Sequence, residues 1–198
     1  MNNKLIKEIW DYIKVVIIAM ILATLISTQI FTFSQVQQRS MERTLIEGDT
    51  IIIEKVSLHF SSLERGDIIV LLQGEEVDNS FFGRIERLYS DMYYKFKKME
   101  NKNRLVKRVI GLPGDEIDIR DGKLFVNGQA QDETYVTSET CTRSIPMPLS
   151  VPDNQIFVLG DNREVSEDSR EFGCVKLQNV EGIAVFRFFP FNKIGTLD

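Results

Sequence analysis

The chain reads as a mainly β domain of antiparallel strands behind an N-terminal transmembrane helix, with one amphipathic helix inserted between strands. Three observations carry this expectation. Residues 15–38 hold no charged side chain. Beyond them, short apolar runs are separated by Gly-Asp and Asp-Gly pairs, the punctuation of an all-β domain. One stretch, about residues 74–104, abandons period two and repeats its apolar residues at helical spacing.

The expected organisation is a cytoplasmic tail at 1–14, an anchor at 15–35 and a domain at 36–198. Residues 15–26 are almost wholly apolar, and a helix of about 20 residues spans the ~30 Å hydrocarbon core. Lys4, Lys7 and Lys14 precede it, with Trp10 and Tyr12 at interfacial positions, which predicts a cytoplasmic N-terminus and a domain outside. No small-x-small cleavage site follows, so the segment reads as a retained anchor rather than a removed leader.

In the domain, residues 50–56 predict a strand with Ile51, Ile52 and Ile53 in a row. Gly66-Asp67 leads into a second at 68–72. Residues 116–120 alternate with Ile117 and Ile119 inward, Asp121-Gly122 supplies a type I′ turn, and 123–127 return with Leu124 and Val126 inward. Residues 155–159 and 182–189 read as buried strands. Asp49, Asp67 and Asp115 each follow a glycine at a strand boundary and read as turn residues. In the inserted segment, Phe81, Ile85, Leu88, Met92, Phe96 and Met99 mark one helical face. The other faces are charged, with Arg84, Glu86, Arg87, Asp91, Lys95, Lys97, Lys98 and Glu100. The first expectation is a helix packed on the sheet. The alternative is a membrane-surface or partner-binding helix.

The net charge of −5 and a pI near 5 leave no basic footprint for nucleic acid. With one histidine, His59, and two cysteines, a multi-histidine or thiolate metal site is excluded, and no cofactor is expected. His59 has no acid beside it in sequence and defaults to a surface or strand-end role. Cys141 and Cys174 are either one disulfide or two free thiols.

The chemistry lies in three stretches: Ser40-Met41, Lys107 to Asp115, and Gly160 to Arg170. A serine hydroxyl attacks only when a base takes its proton. Lysine can be that base if its amine is neutral, which requires an apolar site that lowers its pKa far below ~10.4. An extended strand sends Leu105, Lys107 and Val109 to one face, a setting of low polarity for the amine.

These stretches resemble the type I signal peptidases of the Gram-positive kind, which use a Ser-Lys dyad. Ser40-Met41-Glu42-Arg43-Thr44-Leu45 stands where that family has Ser-Met-x-Pro-Thr-Leu. Lys107-Arg108-Val109-Ile110-Gly111-Leu112-Pro113-Gly114-Asp115 matches its lysine box. Gly160-Asp161-Asn162-Arg163, with Ser166, Asp168, Ser169 and Arg170, matches its Gly-Asp-Asn-Arg-x-x-Ser-x-Asp-Ser-Arg box. The resemblance covers the chain except residues 74–104. It implies a membrane-bound serine endopeptidase that removes signal peptides from exported preproteins, with its antiparallel β fold. Carried over, Ser40 is the nucleophile and Lys107 the general base, and Ser166 orients the amine. Asp161 and Arg163 shape the nearby turn, and Asp168 with Arg170 forms a supporting ion pair. Ser40, Gln38 and Met41 border the oxyanion site and groove.

Two positions depart from the pattern. Gln38 stands where Gram-positive members have glycine, and it is expected to narrow the groove. Arg43 stands where they have proline, and it is expected to loosen the turn. The alternative reading is therefore a non-proteolytic or narrowly specialised factor for surface-protein or pilus assembly. A self-cleaving repressor-type Ser-Lys protein shares the chemistry, but the anchor argues against it.

Overall fold

The computed structural model describes residues 3–60, 63–73, 77–78, 80–97 and 104–197, with backbone alone for Asn3, His59, Phe60 and Lys95. Strands dominate: β1 Phe31–Gln35, β2 Thr50–Glu54, β3 Ile68–Leu72, β4 Arg104–Gly111, β5 Glu116–Arg120, β6 Lys123–Val126, β7 Gln129–Ala130, β8 Leu149–Ser150, β9 Gln155–Leu159, β10 Val175–Lys176, β11 Val180–Phe189 and β12 Gly195–Thr196. The helices are α1 Asn3–Gln29, α2 Ser57–Phe60, α3 Phe81–Phe96 and α4 Ser169–Phe172. His59 therefore falls in a short helix.

One sheet runs β1-β2-β11-β3-β4-β9-β10 with β12 on β11, and a second runs β7-β6-β5-β8. Every pairing is antiparallel. The apolar run of β3 is explained by burial on both faces. Ile69 and Leu71 join Leu105, Val109, Ile156 and Val158 on one side, while Ile68 and Val70 join Met41, Leu45, Ile51 and Ile53 on the other. β9 is two-faced in the same way, with Phe157 and Leu159 meeting the second sheet's Ile117, Ile119, Leu124 and Val126. Period two is invisible in such strands because both faces are dry.

The three Gly-Asp pairs at the strand boundaries, Gly48-Asp49, Gly66-Asp67 and Gly114-Asp115, build one turn three times. Gly48, Gly66 and Gly114 have φ of 93, 97 and 86°, which favours glycine. The aspartate that follows accepts a hydrogen bond from the backbone N–H three residues earlier, at 3.1 Å for Asp49, 2.8 Å for Asp67 and 2.7 Å for Asp115. Asp121 and Gly122 both have positive φ, as a type I′ turn needs.

Two boundaries differ from the sequence reading. α1 starts well before residue 15 and stops at Gln29, and residues 31–35 form β1 instead of continuing the helix. Phe31-Thr32-Phe33-Ser34-Gln35 alternates, and its aromatic and β-branched residues pair in register with β2, Phe33 opposite Ile52. Residues 4–29 remain a helix long and apolar enough to cross a membrane. The inserted helix α3 packs mainly against α1 and meets the sheet through the Asp91–Arg104 pair. Ile85 and Leu88 are half-buried, while Phe81, Met92 and Phe96 of the same predicted stripe stay exposed. Met99, Lys98 and Glu100 lie outside the described residues. Cys141 is exposed and Cys174 partly buried, both as free thiols, and burial pushes the Cys174 thiol up to about 11.

Candidate active site

Ser40 lies in the irregular segment between β1 and β2. Met41 fixes that segment by inserting wholly into the core beside Leu45 and Ile51. Its side chain is thus a wedge and does not line an open groove. β9 pairs with β4 only over Arg108–Gly111, so the chain leaves β9 just where Ser40 approaches β4. The Ser40 carbonyl accepts from Asn162 N at 3.0 Å, and Ser40 Oγ lies 3.4 Å from the Val106 carbonyl oxygen.

Lys107 comes from β4 and is 1% exposed. Its Nζ meets Ser40 Oγ directly at 2.7 Å. Burial lowers the amine from 10.5 to about 8, against the opposing pull of Asp168, Glu167 and Asp161. A protonated amine donates to the hydroxyl oxygen. A neutral one accepts the hydroxyl's proton, which is the arrangement a general base requires.

The turn after β9 wraps this contact. A Cβ at Gly160 would collide with the Ser40 carbonyl oxygen and with Ser166, so only glycine allows the approach. Ser166 is wholly buried beside that glycine, near enough to Asp168 to help hold its carboxyl down, and among the described residues its Oγ makes no hydrogen bond of full geometry. Asp161 takes a bidentate pair from Arg108 at 3.0 and 2.8 Å, and the Thr44 hydroxyl donates to it. Asp161 therefore holds the segment after Ser40 against β4. Arg163 is buried and donates to the Gly160 carbonyl at 3.1 Å and to Glu133 at 3.0 Å. Asp168 and Arg170 form a buried pair with both contacts at 2.9 Å. Burial raises the Asp168 carboxyl, but Arg170 and the Gly160 N–H outweigh it and hold it below the usual carboxylate range.

Gln38 is exposed and does not stand between Ser40 and Lys107. Arg43 is exposed, with φ of 88°. Proline is locked near −65°, so the backbone here cannot be the one a proline would give. The departure at Arg43 is a different turn rather than a looser copy of the same turn.

Sequence reading missed Arg108, Glu133, Thr44 and Arg143. Arg108 follows Lys107 in a strand, so it faces the opposite side, and a buried arginine demands an acid. That alternation was the available signal. Glu133 and Arg143 sit in loops, where no period marks them. Arg143 gathers the carbonyls of Arg163, Glu164 and Ser166. Among the described residues, no group of three or more His, Cys, Asp or Glu could hold a metal ion.

The family profile described as "Signal peptidase, peptidase S26" matches residues 9–189. A probable signal peptidase I-1 of Synechocystis sp. is 33% identical, over 100% of this chain and 93% of that protein. A signal peptidase I of Leptolyngbya laminosa is 35% identical, over 93% and 82%. One from Bacillus licheniformis is 32% identical, over 96% and 94%. Among solved structures, a signal peptidase I from Enterococcus faecalis V583 is 30% identical, covering 62% of this chain and 97% of its own, with a TM-score of 0.42.

Proposed function

The chain belongs to the signal peptidase family, peptidase S26, and from that premise we propose that it is a membrane-bound serine endopeptidase that removes N-terminal signal peptides from exported preproteins, with Ser40 as nucleophile and Lys107 as general base. The 2.7 Å contact between Ser40 Oγ and Lys107 Nζ carries this reading. The neutral amine takes the hydroxyl proton as Oγ attacks the scissile carbonyl carbon. The Ser40 backbone N–H faces the developing oxyanion, and Gln38 supplies a second donor from the rim. The ammonium then returns the proton to the leaving amine. Water hydrolyses the acyl-enzyme with Lys107 again as base. In this reading Ser166 turns its buried, unengaged hydroxyl to the amine as the site works, while Asp161, Arg163 and the Asp168–Arg170 pair keep the loop in place. The substrate adds as a strand, and the side of β4 unpaired by β9 over Arg104–Lys107 offers main-chain groups for it. α1 anchors the enzyme with its N-terminus in the cytoplasm and the remainder outside.

The test is cleavage of a presequence-bearing protein by the purified full chain. Ser40→Ala and Lys107→Ala should each abolish cleavage, with little further loss in the double variant, because the two act as a unit. Lys107→Arg should be inert too, since a guanidinium is no base at accessible pH. Cleavage by Ser40→Ala would overturn the mechanism. An inert wild type, under conditions where the Bacillus licheniformis relative cleaves, would move the reading to a non-proteolytic assembly factor.

A further inference from the structure

The inserted helix α3 takes no part in the site, and its faces are arranged in an unusual way. At 100° per residue, Arg84, Leu88 and Asp91 fall in one sector of ~60°. This is the docked face, and it is largely polar. Asp91 pairs with Arg104 at 2.8 Å, and Arg104 pairs with Glu181 at 2.7 Å. Glu181 also pairs with Lys55 at 3.4 Å, and Lys55 donates to the Ser27 carbonyl at the end of α1 at 3.2 Å. Arg84 reaches Gln29 Oε1 at 3.5 Å. These links tie α3, β4, β11, β2 and the last turn of α1 into one unit. On α1 itself the shielded residues cluster there, with Thr28 buried and Thr24, Ser27 and Gln29 partly covered, while the apolar stretch before them is exposed.

Phe82, Tyr89, Tyr93 and Phe96 fall in a second ~60° sector, and they are 78, 51, 58 and 85% exposed. A helix of a soluble protein buries its aromatic face and exposes its charged one. Here the largely polar face is the half-buried one and the aromatic face is left open. The helix is also basic on balance, with Arg84, Arg87 and Lys95 against Glu86 and Asp91. Lys97 follows, its amine 5.8 Å over the Tyr93 ring.

We propose that α3 is an interfacial helix whose aromatic face lies in the boundary between headgroups and acyl chains of the bilayer that α1 crosses. The proposal rests on the membrane anchoring of α1. A helix fixed to the last turn of a transmembrane span sits at headgroup depth, where tyrosine and other amphipathic aromatics partition and cations meet anionic lipid. α3 would then be a second tether. It would stop the β domain from turning about α1 and hold the Ser40–Lys107 site at a fixed height above the surface.

The test uses the full chain in vesicles of zwitterionic and anionic phospholipid with acyl chains brominated near the headgroup. Trp10 is the sole tryptophan and is first replaced (Trp10→Phe). Three single reporters follow: Tyr93→Trp on the aromatic face, Ser90→Trp on the exposed flank of α3 that belongs to neither the docked nor the aromatic sector, and Ile18→Trp in α1. The Tyr93→Trp and Ile18→Trp reporters should be quenched by bromolipid and shielded from aqueous iodide, and the Ser90→Trp reporter should show the reverse. Equal iodide access at positions 93 and 90, with the Ile18→Trp reporter still quenched by lipid, would overturn the proposal and leave the anchor standing. Escape of the Ile18→Trp reporter from bromolipid would overturn the anchor and the proposal with it. Shielding at 93 from both quenchers, lost as protein is diluted in lipid, would assign the face to a second copy of the chain and also overturn it.

Discussion

The Lys107 amine sits in a place that is hostile to charge, and that is what makes it useful. Its lowered value of about 8 leaves it mostly protonated at neutral pH and increasingly neutral above. Only the neutral form can accept the Ser40 proton. Cleavage measured as kcat/KM should therefore climb about tenfold per pH unit below that value and level off above it. A profile flat through neutral pH would contradict lysine as base. The same shift sets a stability cost. The folded state binds this proton less tightly than the unfolded chain, so the penalty is complete below about 8 and fades as pH rises toward ~10.4. Lys107→Met should therefore raise the unfolding free energy at neutral pH, by up to ~3 kcal/mol in denaturant unfolding, while abolishing cleavage. A methionine variant no more stable than wild type would contradict this. Arg43 holds a strained backbone, with φ of 88°, at a cost of about 1–2 kcal/mol for a residue with a Cβ. Arg43→Gly should keep activity and stability, whereas Arg43→Pro should lose both. Thermal melts and a cleavage assay on the two variants separate these outcomes.

β4 serves both sides of the site. Its alternation sends Lys107 to one face and Arg108 to the other, and the pairing of β3 with β4 fixes that register, Ile69 opposite Lys107 and Ile68 opposite Arg108. The segment carrying Ser40 is then clasped to β4 through Asp161, Arg108 and Thr44. The loop from Gly160 to Arg170 is held from inside by Asp168. That carboxylate accepts from Gly160 N at 3.1 Å and from Arg170, which in turn donates to the Arg163 carbonyl at 2.8 Å. Asp168→Asn leaves the Arg170 charge buried and poorly compensated, so it should cost about 3–5 kcal/mol. Glu42→Gln removes the charge from a largely exposed pair with Arg39 and keeps a side-chain oxygen that can still accept from Asn162 Nδ2, so it should cost under ~1 kcal/mol. Denaturant unfolding of both variants gives the comparison. Equal losses would show that the buried pair is not what holds the loop. Most strands were legible in sequence, because Ile117 and Ile119 or Leu124 and Val126 alternate plainly. β1 was not, because its residues continue the uncharged stretch of α1 and only pairing with β2 reveals the change from helix to strand.

At the scale of the molecule, the proposed function divides anchoring and chemistry between α1, a helix long and apolar enough to cross a membrane, and the β domain. Lys4, Lys7 and Lys14 precede the apolar core of α1, which should keep the N-terminus in the cytoplasm. A reporter fused at residue 3 should stay inside, and one fused after residue 38 should be exposed outside. Two cytoplasmic reporters would refute the proposed topology. Cys141 and Cys174 are both free thiols in the structure.

The sequence by itself determined the β class, the apolar N-terminal helix and the identity of Ser40 and Lys107 as the residues to watch. These follow from local properties: alternation, turn chemistry, the absence of charge and motif spacing. Tertiary structure decided what depends on distant partners. Sixty-seven residues separate Lys107 from Ser40, and only packing brings them to 2.7 Å. Which acid would neutralise Arg108, that Met41 is a core wedge, and that residue 43 takes a left-handed backbone were all outside local reach. So was the docking of α3. Its helical period was plain in sequence, but a period gives faces without saying which one meets protein. The ion pairs of Asp91 and Arg104 outbid the aromatic stripe for the buried side, because an unpaired buried charge costs more than an exposed ring.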